Sequence, residues 1–170
     1  MSVPVAARIR SHLLVAIFAS SCASATAWAQ VARFEGASLE RFRGEYGFDA
    51  LNYRRTDLSA GGYGADVAIG FVPEYLRAMT LLLDFDVGFA YAVPVGPARL
   101  LLKGGPAGFL AIGEVHDVYP GLQAGVAAAV PLQRRCYARL DLSRRIYFAP
   151  GEESLRLWSV GIGLSAALPR

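Results

Sequence analysis

Lysine is nearly missing from this chain: among 170 residues only Lys103 carries an ammonium group. Cysteine and histidine are almost as scarce, with Cys22, Cys136, His12 and His116 completing the set. Long apolar runs are missing too. No uncharged apolar run reaches the roughly 18 residues that a transmembrane helix needs. Yet 54% of the residues are hydrophobic. A chain this apolar, with so few lysines to solvate it, has to spread its hydrophobicity through short segments.

These shortages exclude several chemistries. Four scattered Cys and His residues make no zinc site. His116 lies beside Asp117, the pairing that orients a general base, but no nucleophile accompanies it in a recognisable arrangement. We read it as a solvated loop histidine. The glycine pairs Gly61-Gly62 and Gly104-Gly105 precede no helical pattern, so neither makes a phosphate-binding loop. No catalytic, metal or cofactor-binding residue is assigned, and no enzyme activity is expected.

The N-terminus reads as an export signal. Arg8 and Arg10 form a basic start, residues 13–18 (LLVAIF) an apolar core, and Ala27-Trp28-Ala29 a small-x-small cleavage site. Removing residues 1–29 leaves fifteen basic residues against fourteen acidic ones. That near-neutral balance gives no support for nucleic-acid binding, despite a pI of 9.1 for the whole chain. Residues 19–22 (ASSC) form a loose lipobox, so lipidation of Cys22 is the second reading. Cleavage after Ala29 leaves Cys136 without an intrachain partner, a small residue near a turn.

What the chain has in abundance is alternation. In residues 81–93, Leu81, Leu83, Phe85, Val87, Phe89, Tyr91 and Val93 occupy every odd position. Leu82, Asp84, Asp86, Gly88, Ala90 and Ala92 occupy the even ones. A period of two is a β-strand with two unlike faces. The run also meets the roughly 9–11 residues that cross a bilayer as a tilted strand. Similar patterns mark residues 44–53, 62–72, 98–113, 119–131, 137–148 and 155–166. Pro106 interrupts the segment 98–113, which we read as one kinked strand. Residues 54–61 (RRTDLSAG) read as a polar loop. That makes seven strands. Residues 30–43 form an N-terminal segment, an irregular strand or a short helix, and supply the best candidate for an eighth strand. The barrel domain is assigned to 44–170.

The weaker face of these strands decides the solvent. A soluble antiparallel sheet carries Lys, Glu, Thr and Gln on its wet side. Here that face is Gly, Ala and Ser with occasional charge, a composition suited to a narrow, crowded interior. The large residues then face lipid. Buried charge needs partners, and we expect a lumenal charge network of Asp49, Asp66, Asp84, Asp86, Arg99, Lys103, Arg139, Asp141 and Arg145. The alternative use of Asp66, Asp84 and Asp86, as oxygen ligands for calcium, ranks below charge pairing. Arg144 falls out of phase and is expected near a rim.

The signal sequence and the pattern over residues 44–166 resemble the small outer-membrane β-barrel proteins of Gram-negative bacteria, the broad OmpA/OmpX-type and opacity-protein-like superfamily. The resemblance implies an all-β, antiparallel up-and-down transmembrane barrel, most simply of eight strands. It also implies an outer-membrane location, with lipid and the barrel insertion machinery as partners. Ser159, Gly161, Leu164 and Ala166 fit the superfamily's C-terminal insertion signal, although the usual terminal aromatic is absent. Outer-membrane lipid A deacylases resemble barrels of this size, but their His-x-Ser motif is missing here, and Asp57-Leu58-Ser59 is not the acyltransferase arrangement. The expected function is non-enzymatic, structural or surface-interacting, with a side-chain-filled lumen and no assigned ligand. Alternatives are a soluble periplasmic barrel holding an apolar ligand and, behind it, a lipid-modifying enzyme that would depend on His116.

Overall fold

The computed structural model describes residues 33–44, 47–74, 80–113, 117–148 and 154–168. The expected signal peptide, Cys22 and His116 lie outside them. Eight strands follow one another: β1 (Arg33–Gly44), β2 (Phe48–Leu58), β3 (Tyr63–Phe71), β4 (Leu81–Val95), β5 (Ala98–Ile112), β6 (Asp117–Gln133), β7 (Cys136–Tyr147) and β8 (Leu155–Leu168). Each pairs antiparallel with the next, and β8 closes on β1. The fold is therefore an all-antiparallel, up-and-down closed barrel.

The register fixes the barrel's shape. Following paired residues once round the wall leads from Arg33 through Asp57, Ala65, Phe89, Gly104, Ala124, Arg144 and Trp158 to Arg43. The path returns to β1 ten residues beyond its start, which is the shear of the barrel. Eight strands staggered in this way tilt by roughly 40° and leave room inside for side chains alone.

Two readings change. Residues 54–58 are not loop: β2 runs on to Leu58, with Arg54 and Thr56 inward and Arg55 and Asp57 outward. Charge on both faces hides the alternation there, and the inward pair has partners that make burial tolerable. Residues 33–44, left open between helix and irregular strand, form a regular strand paired on both sides.

β5 is one continuous strand, and its ladder to β4 is interrupted beside Pro106. Proline has no N–H for the ladder, and the β4–β5 register lapses between Asp86↔Ala107 and Phe89↔Gly104. Gly105 adopts φ +155° there, and a Cβ on it would stand 2.5 Å from the Cα of Gly88. Two facing glycines let the strands close up at this gap.

Candidate functional site: the charged interior

Even-numbered residues of β1 to β4 and odd-numbered residues of β5 to β8 point inward, and they sort into three layers. At the end with the short turns, Phe34, Leu58, Leu101 and Tyr137 pack with small alanines. Phe34 and Tyr137 meet edge-on, centroids 5.2 Å apart. At the other end Phe42, Phe48, Phe109, Tyr147, Val72 and Leu157 form a second apolar cluster. Phe42 stacks on Phe48 at 4.6 Å, and Phe109 lies 4.3 Å from Tyr147. Aromatic contacts of this kind add to the burial that holds each cluster together.

Between the plugs lies the charged layer. Nine ionisable side chains are buried there among the described residues: Glu40, Arg54, Asp66, Asp84, Asp86, Lys103, Arg139, Asp141 and Arg145. Arg145 is its hub. Nη1 donates to both oxygens of Asp84 at 2.7 Å, and Nη2 donates to Glu40 at 2.8 Å and to Asp86 at 3.0 Å. Its guanidinium also lies 4.7 Å from the centre of the Phe42 ring. Glu40 accepts from Asn52 at 2.7 Å and from Ser159 at 2.5 Å.

Asp86 Oδ2 links this hub to the rest, since it also accepts from Arg54 at 2.8 Å. Arg54 in turn donates to Asp66, which accepts from Thr56 at 2.6 Å. Arg139 reaches Thr56 at 3.0 Å and lies 3.6 Å from Asp66. It donates to Asp141 through Nε at 2.8 Å, and Lys103 donates to the same carboxylate at 2.6 Å. The result is one connected chain of charge, from Lys103 across the barrel to Asp84. Its members stand on β1, β2, β3, β4, β5 and β7. Bonds between buried ionised groups are strong because the surroundings screen them little.

Most of the anticipated interior residues belong to this layer, and two do not. Asp49 is outside. Phe48 and Ala50 point inward, so the residue between them points outward, where Arg41 donates to it at 2.7 and 2.8 Å. Arg99 is only half-buried, near the short-turn end, with its guanidinium 5.7 Å from the Phe34 ring centre and no ion pair among the described residues. Conversely, Glu40 and Arg54 escaped the sequence reading, because their segments did not read as clear strands. Asp66, Asp84 and Asp86, the alternative calcium set, each accept from arginine instead. Arg144 faces outward over Trp158, 5.4 Å from its ring centre.

The outside is the inverse of the inside. Among the described residues, twenty-three large hydrophobic ones are exposed there, including Ile69 at 54%, Val87 at 53%, Phe89 at 62% and Ile162 at 66%. Asp66, Asp84 and Asp86 are 1% exposed or less.

Solved structures contain the same fold. This chain takes the fold of the small outer-membrane barrels. Neisserial surface protein A superposes with a TM-score of 0.62 at 9% identity, covering 80% of this chain and 96% of that one. The N-terminal β-barrel domain of Pseudomonas aeruginosa OprF gives 0.57 at 11%, covering 79% and 97%. A de novo designed transmembrane β-barrel gives 0.55 at 12%, covering 84% and 100%. No family model matches the chain, and no curated protein does. At these identities the likeness is one of fold alone.

Proposed function

We propose that this protein is a non-enzymatic barrel of the bacterial outer membrane, exported by its N-terminal signal. Its wall faces lipid, and its lumen is closed by side chains. The observation that carries the reading is the inversion of polarity: among the described residues, twenty-three large apolar ones stand exposed outside and nine ionisable ones are buried inside. Water would reward the opposite arrangement, whereas hydrocarbon outside and paired charge inside suit a closed barrel. A soluble barrel holding an apolar ligand would need these faces exchanged.

The connections support an orientation. Residues 59–62, 96–97 and 134–135 make tight turns at one end. The other end carries 45–47, 72–80, 113–116 and 148–154. Short turns in such barrels are periplasmic and longer loops extracellular. Even the longest, 72–80, has nine residues, which offers little chain for gripping a large ligand. The role is therefore structural, or one of surface contact in which the wall itself takes part.

Fractionation tests the reading. The protein should be recovered with outer membranes, require detergent for extraction, and migrate differently on gels before and after heating. Release with the soluble periplasm and heat-independent migration would refute it.

A further inference from the structure

The outer surface of the wall is not uniform. On β3, β4, β5 and β6 no outward position carries charge. β7 and β8 carry one outward charge each, Arg144 and Arg156, both toward the end with the longer loops. On β1 and β2 the outward charges come in two groups, with Arg43 in the group at the longer-loop end. Arg41 and Asp49 pair at the end with the longer loops. At the short-turn end Arg33 stands opposite Asp57 in the register, and Glu35 opposite Arg55. Asp57 lies 2.6 Å from both guanidiniums, while Glu35 is 3.7 and 3.8 Å from them, beyond hydrogen-bond distance. Their side chains remain 25–42% exposed.

The spacing of these groups is too short for a lipid belt. Between Glu35 and Arg41 the strand rises roughly 20 Å, or roughly 15 Å along the barrel axis after a tilt of roughly 40°. The apolar band of a membrane barrel is about 25 Å tall. Part of this charge must therefore sit at hydrocarbon depth on the β1–β2 side, while β4 offers fifteen residues with no outward charge at all. Charge at that depth is disfavoured unless something other than lipid covers it.

We infer that the outer face of β1 and β2 at the short-turn end is the contact face of a two-fold dimer, and that the group covering it is a second copy of this chain. The inference rests on the reading above that the wall faces lipid. Two copies in one membrane share an orientation, so their symmetry axis lies along the membrane normal. That axis sets β1 of one copy beside β2 of the other at similar depth. Arg33 then faces Asp57 of the partner subunit, and Glu35 faces Arg55 of the partner subunit, with each contact made twice. Two cations and two anions, split one of each per strand, make the patch complementary to itself. Glu35, which is hydrogen-bonded to Tyr53 but to neither guanidinium of its own chain, gains a charged partner at hydrogen-bond distance across the interface. Ala37, the next outward residue on β1, is small enough to let the two walls approach.

The test uses donor- and acceptor-labelled protein in lipid vesicles. Energy transfer in the wild type should exceed the level expected for random mixing at the same protein-to-lipid ratio. The double variant Glu35→Lys/Asp57→Lys and the double variant Arg33→Glu/Arg55→Glu should each fall to that random level. A mixture of the two, one carrying each label, should recover transfer, because only unlike copies are then complementary. Heat-dependent gel migration confirms that each variant is a folded barrel. Random-level transfer in the wild type overturns the inference, whatever the variants do. So does a mixture of folded variants that gives no more transfer than either alone, and local thinning of the bilayer would then be what accommodates the charge. Failure of the wild type to enter vesicles at all would instead refute the lipid-facing wall.

Discussion

Arg145 and Asp84 stand three strands apart around the wall, on β7 and β4, yet meet inside it, with Nη1 at 2.7 Å from each carboxylate oxygen. The contact ties non-neighbouring strands directly, which the backbone ladder cannot do. Its value lies less in net attraction than in what its loss exposes: Asp84, Asp86 and Glu40 all lean on the same guanidinium.

Arg145→Met should therefore be costly. Breaking a buried ion pair from one side typically costs about 3–5 kcal/mol, because the remaining charge stays buried. Urea unfolding of the vesicle-inserted protein should show a loss of that order. Adding Asp84→Asn and Glu40→Gln to the same chain should recover part of it, since two of the three carboxylates are then neutral and the third, Asp86, keeps Arg54. A single-variant loss below about 1 kcal/mol would mean that the network contributes little.

Closure of the barrel depends on close approach at one seam. β1 and β8 are the first and last strands, and glycines face the neighbouring strand on both sides. A Cβ on Gly163 would stand 2.3 Å from the carbonyl oxygen of Ala37, and one on Gly36 2.0 Å from that of Leu164. Gly163→Val should lower the yield of folded barrel sharply, read as the fraction with heat-dependent migration after refolding. The neighbouring Ile162→Val, on the exposed outer face, should leave that yield nearly unchanged. Equal yields for the two would contradict the tight seam.

On the proposed reading, the two apolar plugs and the charged layer between them close the barrel axis to bulk water. In planar bilayers the protein should produce no steady, large conductance steps. Persistent steps of the size given by a water-filled pore would contradict the closed lumen.

The sequence spoke clearly where the two faces of a strand differ. On β3 and β4 the outward residues are large and apolar and the inward ones small or acidic, so period two identifies strand, face and solvent together. On β1 and β2 that contrast fails. Glu40 and Arg54 point inward, while Arg41, Asp49, Arg55 and Asp57 point outward, so polar residues occupy both faces. Such a stretch looks like a loop or an irregular segment when read alone. The same ambiguity placed Asp49 on the wrong side, because only its neighbours Phe48 and Ala50 settle its direction. The network was legible in composition, as aspartates and arginines sharing strand faces. Its hub was not, because the meeting of Arg145 with Glu40 and Asp84 depends on the shear of the closed barrel.

The most direct test of the account asks what touches the outer wall. Val87 lies near the middle of β4 and is 53% exposed. With Trp158→Phe removing the one tryptophan beyond the expected cleavage site, Val87→Trp places a single indole there. In vesicles whose lipids carry bromine near the middle of their acyl chains, its fluorescence should be strongly quenched, and aqueous iodide should leave it unaffected. Quenching by iodide, with no loss to the brominated chains, would show that water and not hydrocarbon bathes the bulky face.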